Sequence, residues 1–190
     1  PEYEMVRSDG TRIETRYLDP GHPGVVEHNV AVILDCLANY DIDGIHLDYI
    51  RYPEYNGAWG YNATSVARFN AVHGRSGSPD ASDPAWCAWR RECVALQMRK
   101  IYVKAWQMKP RVLVSASTVN WGYDFDRFQD SRAYNQAFQD WAGWLDQGIL
   151  DYNGLMNYVG DAGTTRLLGW TNRSLTHDAR RGSVIGVGAF

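Results

Sequence analysis

The sequence predicts an α/β fold, read as an incomplete (β/α)8 (TIM) barrel. Three observations predict it. Helix-like and strand-like patterns alternate along the chain, and alternation with apolar strands means a parallel sheet covered by helices. The segment Tyr40–Pro53 (Y-D-I-D-G-I-H-L-D-Y-I-R-Y-P) places Ile45 and Leu47 on one face and His46 and Asp48 on the other, because strand side chains alternate with period two. A barrel strand needs that division, with one face against outer helices and the other carrying reactive groups toward the mouth. No Gly-rich phosphate loop follows any strand, which argues against an open dinucleotide-binding sheet. Four strands do not close an eight-stranded barrel, so residues 1–190 are expected to form a single partial barrel domain.

The elements follow in order. Tyr3–Arg7 and Thr11–Leu18 flank the turn signal Ser8-Asp9-Gly10, giving a loop or hairpin. Pro23 suits a first helical turn, and Val26, Val30, Ile33, Leu34 and Leu37 recur at helical spacing to about Tyr40. The strand Ile42–Tyr52 comes next, stopped by Pro53. Residues 53–83 are rich in Gly, Asn, Ser and Pro, with one helical piece near Ser65–Val72. So long an excursion after a strand is usually functional. Asp83-Pro84 reads as an N-cap and first turn opening a helix to about Gln107. Arg111–Thr118 is a strand, residues 119–134 a loop, Tyr134–Asp146 a helix, Asp151–Tyr158 a strand, Thr165–Arg180 a helix and Ser183–Phe190 a final strand.

Composition narrows the function classes. Net charge is −3 with no long basic run, which disfavours a nucleic-acid partner, and no apolar run is long enough to form a membrane-spanning segment. The chain begins with Pro1 rather than Met, so a fragment or processed product is expected. Cys36, Cys87 and Cys93 lack C-x-x-C spacing; Cys87 and Cys93 can pair in an oxidising compartment, but three small buried thiols are the simpler expectation. No His/Asp/Glu cluster has metal-ligand spacing and no G-x-S-x-G elbow is present, so no metal, cofactor or serine triad is implied. Eight Trp and twelve Tyr are the real deviation; about half are assigned to the core, and the rest are available to stack on sugar rings.

Asp48 leads the candidate site, since a carboxylate at a strand's C-terminal end can serve as nucleophile or general base in glycoside hydrolysis. His46 shares its face and can bond a sugar hydroxyl or tune Asp48; a satisfied core histidine is the competing reading. Arg51 can clamp Asp48 or a substrate oxygen, or form a surface ion pair. Tyr52 follows it, Ser115 and Ser117 end the next strand on one face, and Asn157 and Tyr158 end the one after, with periodicity alone not deciding which of the last two faces inward. Trp121, Tyr123 and Trp59 lie on loops after strands, where a stacking platform belongs. Asp43 reads as a turn or stability residue, and Asp124, Asp126 and Asp161 are loop carboxylates expected to be solvated. Glycoside hydrolysis needs a second carboxyl group about 5–9.5 Å from the first. No other strand ends in Asp or Glu, so the partner is expected on a loop or beyond this chain.

The run Leu18–Pro53, with Trp89-Arg90-Arg91, Lys109-Pro110, the strand V-S-A-S and the strand ending L-M-N-Y, resembles the bacterial glycosyl hydrolase-like 10 family. The resemblance covers most of the chain in order. It implies a TIM barrel whose fourth to seventh strands lie here, a carbohydrate substrate, and Asp48 at the strand-four acidic position. Many relatives have a second acid beside it, where this chain has Tyr49. Against the family 18 chitinase pattern, the catalytic glutamate falls on Ile50, so substrate-assisted chemistry is disfavoured. The functional expectation is a glycoside hydrolase acting on a polysaccharide or cell-wall glycan. The alternatives are a non-catalytic carbohydrate-binding barrel and a barrel enzyme with a non-sugar substrate. An extracytoplasmic or cell-envelope setting is expected for such a substrate, while oligomeric state and linkage stay open. Unpaired sheet edges would make the piece alone prone to aggregate.

Overall fold

A computed structural model describes residues 2–12, 17–53, 58–121, 127–160, 163–177 and 182–188. The elements are α1 (Pro23–Asn39), β1 (Gly44–Leu47), α2 (Ala63–His73), α3 (Pro84–Met108), β2 (Leu113–Val119), a 3-10 turn (Phe128–Asp130), α4 (Arg132–Asn135), α5 (Trp141–Asp146), β3 (Tyr152–Met156), α6 (Thr164–Thr176) and β4 (Gly182–Gly186). The four strands form one parallel sheet in the order β1-β2-β3-β4. Sequential order with helical connections is the arrangement of part of a (β/α)8 barrel.

Local chemistry sets the helix starts. His22 caps α1, its Nδ1 accepting from Gly24 N–H at 3.1 Å, with proline in the first turn. Asp83 caps α3, accepting from the N–H groups of Ala85 and Trp86 at 2.8 and 3.2 Å. At 25 residues α3 is about 37 Å long, and it packs along α1. The aromatic-rich excursion after β1 folds onto its start: Phe69 of α2 meets Trp86 edge-on at 4.9 Å, and Trp86 stacks on Trp89 at 5.0 Å.

The sheet has two unlike faces. Ile45 and Leu47 of β1, Val114, Ala116 and Thr118 of β2, and Asn153 and Leu155 of β3 belong to the side packed against the helices. Leu113, Tyr152 and Val184, on the opposite side, remain exposed at 44%, 41% and 59%. Two edges, β1 and β4, each pair with one neighbour among the described residues.

Several boundaries differ from the sequence expectation, for identifiable reasons. The strand expected over Ile42–Tyr52 spans only Gly44–Leu47, because Tyr49 adopts φ 54° and turns the chain. The helix expected over Tyr134–Asp146 is two short helices interrupted at Phe138, with φ 51°. Among the described residues, the N-terminal segments expected as a loop or hairpin meet through isolated bridges, Glu4 with Leu18 and Val6 with Arg12. Cys36, Cys87 and Cys93 are free thiols.

Candidate active site

In a parallel sheet the strand ends that open toward a ligand are the C-terminal ones. There Asp48 follows β1 directly, with its side chain 56% exposed. Its Oδ1 accepts the Tyr49 N–H at 2.7 Å, a bond the left-handed turn at Tyr49 makes possible. Arg51 Nη1 stands 3.7 Å from the same oxygen. The Arg51 guanidinium lies 4.2 Å from the Tyr49 ring centroid and 5.6 Å from that of Trp121, two residues past β2. The turn thus gathers one carboxylate, one arginine and two aromatic rings, and stacking fixes the arginine's plane.

His46 forms a second group on the open face. Its Nδ1 is 2.9 Å from Ser115 Oγ and its Nε2 2.8 Å from Ser117 Oγ. Ser115 Oγ donates to the Ile45 carbonyl at 3.2 Å, so toward His46 it is the acceptor. In the neutral ring Nδ1 therefore carries the proton and Nε2 accepts from Ser117. Parallel register places His46 beside Ser115, and period two adds Ser117 to the same face. Gly154 supplies the room: a Cβ there would meet His46 Cε1 at 3.2 Å. A cavity of about 390 Å³ spans this face, lined by His46, Ser115, Tyr152, Gly154 and Val184 among others. No hydrogen bond ties Asp48 to His46 among the described residues.

Two predicted residues are placed elsewhere. Tyr52 is fully buried, with its hydroxyl donating to Asp19 Oδ1 at 3.4 Å, because the turn at Tyr49 breaks the strand's alternation. Asn157 is also fully buried, on the helix side. Its amide donates to the Leu167 carbonyl at 2.9 Å and its oxygen accepts from Asn120 at 2.6 Å. Neither lines the open face. Tyr158 is 55% exposed just past β3, beside Gly186 of β4. Trp59 is buried in the core. Tyr123, Asp124, Asp126 and Asp161 lie outside the described residues.

Sequence reading missed Gln139 and Asp19. Gln139 Oε1 accepts from Val119 N–H at 2.9 Å, while its amide donates to the carbonyls of Ser117 and Ile50 at 3.1 and 3.3 Å. One buried side chain therefore ties the turn after β1 to the end of β2. Asp19 is sealed, and burial raises its carboxyl pKa above the ordinary value, partly offset by the Gly21 N–H bond at 2.8 Å. Its L-D-P-G-H-P context signals a chain break and says nothing of burial. No group of three potential metal ligands occurs among the described residues, and no described helix is long and apolar enough to cross a membrane.

A family model described as Glycosyl hydrolase-like 10 matches residues 2–166. Proteins named Glycosyl hydrolase DigH from Escherichia coli O6:H1 (strain CFT073), Escherichia coli strain K12 and Shigella flexneri are each 27% identical over 157 residues. Those alignments cover 78% of this chain and 32% of each relative, so the chain spans about a third of the length of the curated relatives it matches.

Proposed function

The chain belongs to the glycosyl hydrolase-like 10 family, and from that premise we propose that it carries part of a glycosidase acting on a polysaccharide or cell-wall glycan, with Asp48 as the principal carboxylate. The strands β1 to β4 are then the fourth to seventh of a (β/α)8 barrel, and the open sheet face is part of its interior. The observation that carries this reading is the place of Asp48: an exposed carboxylate at the C-terminal end of a parallel strand, beside a stacked arginine and two aromatic rings.

The chemistry follows from that position. Cleavage of a glycosidic bond passes through an oxocarbenium-like transition state, and a carboxylate close to the anomeric carbon stabilises the developing positive charge. Asp48 acts there as nucleophile or as the base that activates water. Arg51 holds Asp48 in place, while the exposed Tyr49 and Tyr158 rings and the half-buried Trp121 offer faces for sugar C–H groups. His46 and Ser117 present one hydroxyl-binding pair on the same sheet face. The second carboxyl group comes from a loop aspartate or from the parts of the longer protein this chain does not span.

A non-catalytic carbohydrate-binding barrel is the second reading. It is favoured by one observation: among the described residues, Asp48 is the only carboxylate within two residues past a strand end. The two readings part in one experiment, in which the full-length protein is incubated with purified cell-wall glycan and new reducing ends are counted beside the fraction of glycan retained. Reducing ends accumulating with time support the glycosidase. Retention with no new ends sinks it and leaves the binding module.

A further inference from the structure

Past the end of β1 the ladder with β2 is interrupted, and a side chain completes it. The two strands pair from Gly44 with Leu113 to Leu47 with Ala116. Leu113 N–H donates to the Asp43 carbonyl at 3.0 Å, so the odd-numbered residues of β2 bond toward β1. One rung further, the parallel pattern would have Tyr49 N–H donate to the Ser117 carbonyl and Val119 N–H donate to the Tyr49 carbonyl. Both Tyr49 groups are engaged elsewhere. At φ 54° its N–H donates to Asp48 Oδ1 at 2.7 Å, and its carbonyl accepts from Arg51 N–H at 2.8 Å.

Gln139 occupies the rung that Tyr49 leaves. Its Nε2 donates to the Ser117 carbonyl at 3.1 Å, and its Oε1 accepts from Val119 N–H at 2.9 Å. Those are the two bonds the Tyr49 peptide groups would have made. The other Nε2 hydrogen reaches the Ile50 carbonyl at 3.3 Å. Gln139 is completely buried, so water does not compete for these partners. The chain that presents it is itself anchored to both strand ends. Phe138 turns at φ 51°, the Ala137 carbonyl accepts from Tyr52 N–H at 2.8 Å, and Trp141 Nε1–H donates to the Val119 carbonyl at 3.2 Å. Without the carboxamide, Val119 N–H and the Ser117 carbonyl would need the Tyr49 backbone as their partner.

We propose that Gln139 is the positioning residue for Asp48: by replacing the Tyr49 peptide groups at the end of β2, it frees the Tyr49 N–H to hold the Asp48 carboxylate. A part in glycan cleavage for the carboxylate so held rests on the glycosidase reading. The exchange of bonds itself does not.

The test is a double-mutant cycle in the full-length protein labelled with nitrogen-15 tyrosine, read at the Tyr49 amide proton, which is assigned by its loss in Tyr49→Phe. In the wild-type background Asp48→Asn is expected to shift this proton upfield, since a carboxamide oxygen is a weaker acceptor than a carboxylate. Gln139→Met keeps the length of the side chain and removes its bonds. In that background the shift caused by Asp48→Asn is expected to shrink by at least about twofold. Gln139→Met is also expected to lower kcat on cell-wall glycan by at least about tenfold with KM within about twofold, as misplacement of a reacting group does. Gln139→Glu covers the case in which Gln139→Met does not fold. Its buried carboxyl stays protonated, accepts from Val119 and donates to Ser117, so the wild-type shift should persist. A shift undiminished in folded Gln139→Met, a shift lost in Gln139→Glu, or a Tyr49 proton indifferent to Asp48→Asn in the wild-type background overturns the proposal. Cleavage by wild type that Gln139→Met leaves unchanged removes Gln139 from the mechanism and keeps the glycosidase. No cleavage by wild type, with the shifts as expected, sinks the glycosidase and keeps the exchange of bonds.

Discussion

The same sheet carries two hydrogen-bonded groups of polar side chains with opposite fates. On the helix side, Thr118 donates to Asn153, Asn153 donates to Ser174 at 2.7 Å, and Ser174 meets Ser183 at 2.9 Å. Thr118, Asn153 and Ser174 are completely buried. On the open side, His46 bridges Ser115 and Ser117 at comparable distances, and His46 is exposed. The composition of the two groups is nearly alike. What differs is water: the sealed chain must satisfy every donor and acceptor internally, while the open one can exchange a partner for a ligand hydroxyl. Polarity on a strand therefore does not identify a binding site; polarity that stays accessible does.

The comparison breaks first at its sealed end. Asn153→Ala leaves Thr118 and Ser174 without their shared partner, and an unfolding free energy lower by about 2–4 kcal/mol is expected in urea titration. A loss within about 0.5 kcal/mol would mean that the chain is a passive bystander.

A smaller effect is expected from buried Asp19. Burial raises its folded-state pKa above the unfolded value near 3.8, so the folded protein holds a proton that the unfolded chain releases. The stability this adds is fully present below pH 3.8 and is lost as pH rises through the folded value. The unfolding free energy of wild type minus that of Asp19→Asn should accordingly decline with rising pH from about 4. A difference flat from there to neutrality would show that Asp19 ionises as freely folded as unfolded.

Least affected in stability should be the open side. His46→Ala is expected to change unfolding by less than about 1 kcal/mol, because its partners remain within reach of water. A cost as large as that of Asn153→Ala would erase the distinction between the faces.

Much of this was legible in the residues. Proline and capping chemistry located α1 and α3 within a residue or two, and period two put Ser115 and Ser117 on one face of their strand, while only the register of β1 with β2 set them beside His46. Tyr49 was not legible as a turn, since a non-glycine residue at φ 54° carries no sequence signal. That single dihedral shortens β1 and sends Tyr52 into the core. The interruption between α4 and α5 has a similar origin: helical periodicity runs through it, but Gln139 is needed at the strand ends, and tertiary bonding overrides propensity. Asn157 and Tyr158 are adjacent and differ by one step of the pleat. Only the helix against β3 decides which is sealed.

Residue 48 is the centre of the proposed chemistry, and the turnover number of Asp48→Asn in the full-length protein on cell-wall glycan tests that role most directly. The substitution keeps size and an acceptor for the Tyr49 N–H, so unfolding should shift by less than about 0.5 kcal/mol. The rate of reducing-end release should fall by at least about 10²-fold. A folded variant that cleaves within about twofold of wild type, far inside that range, would contradict it.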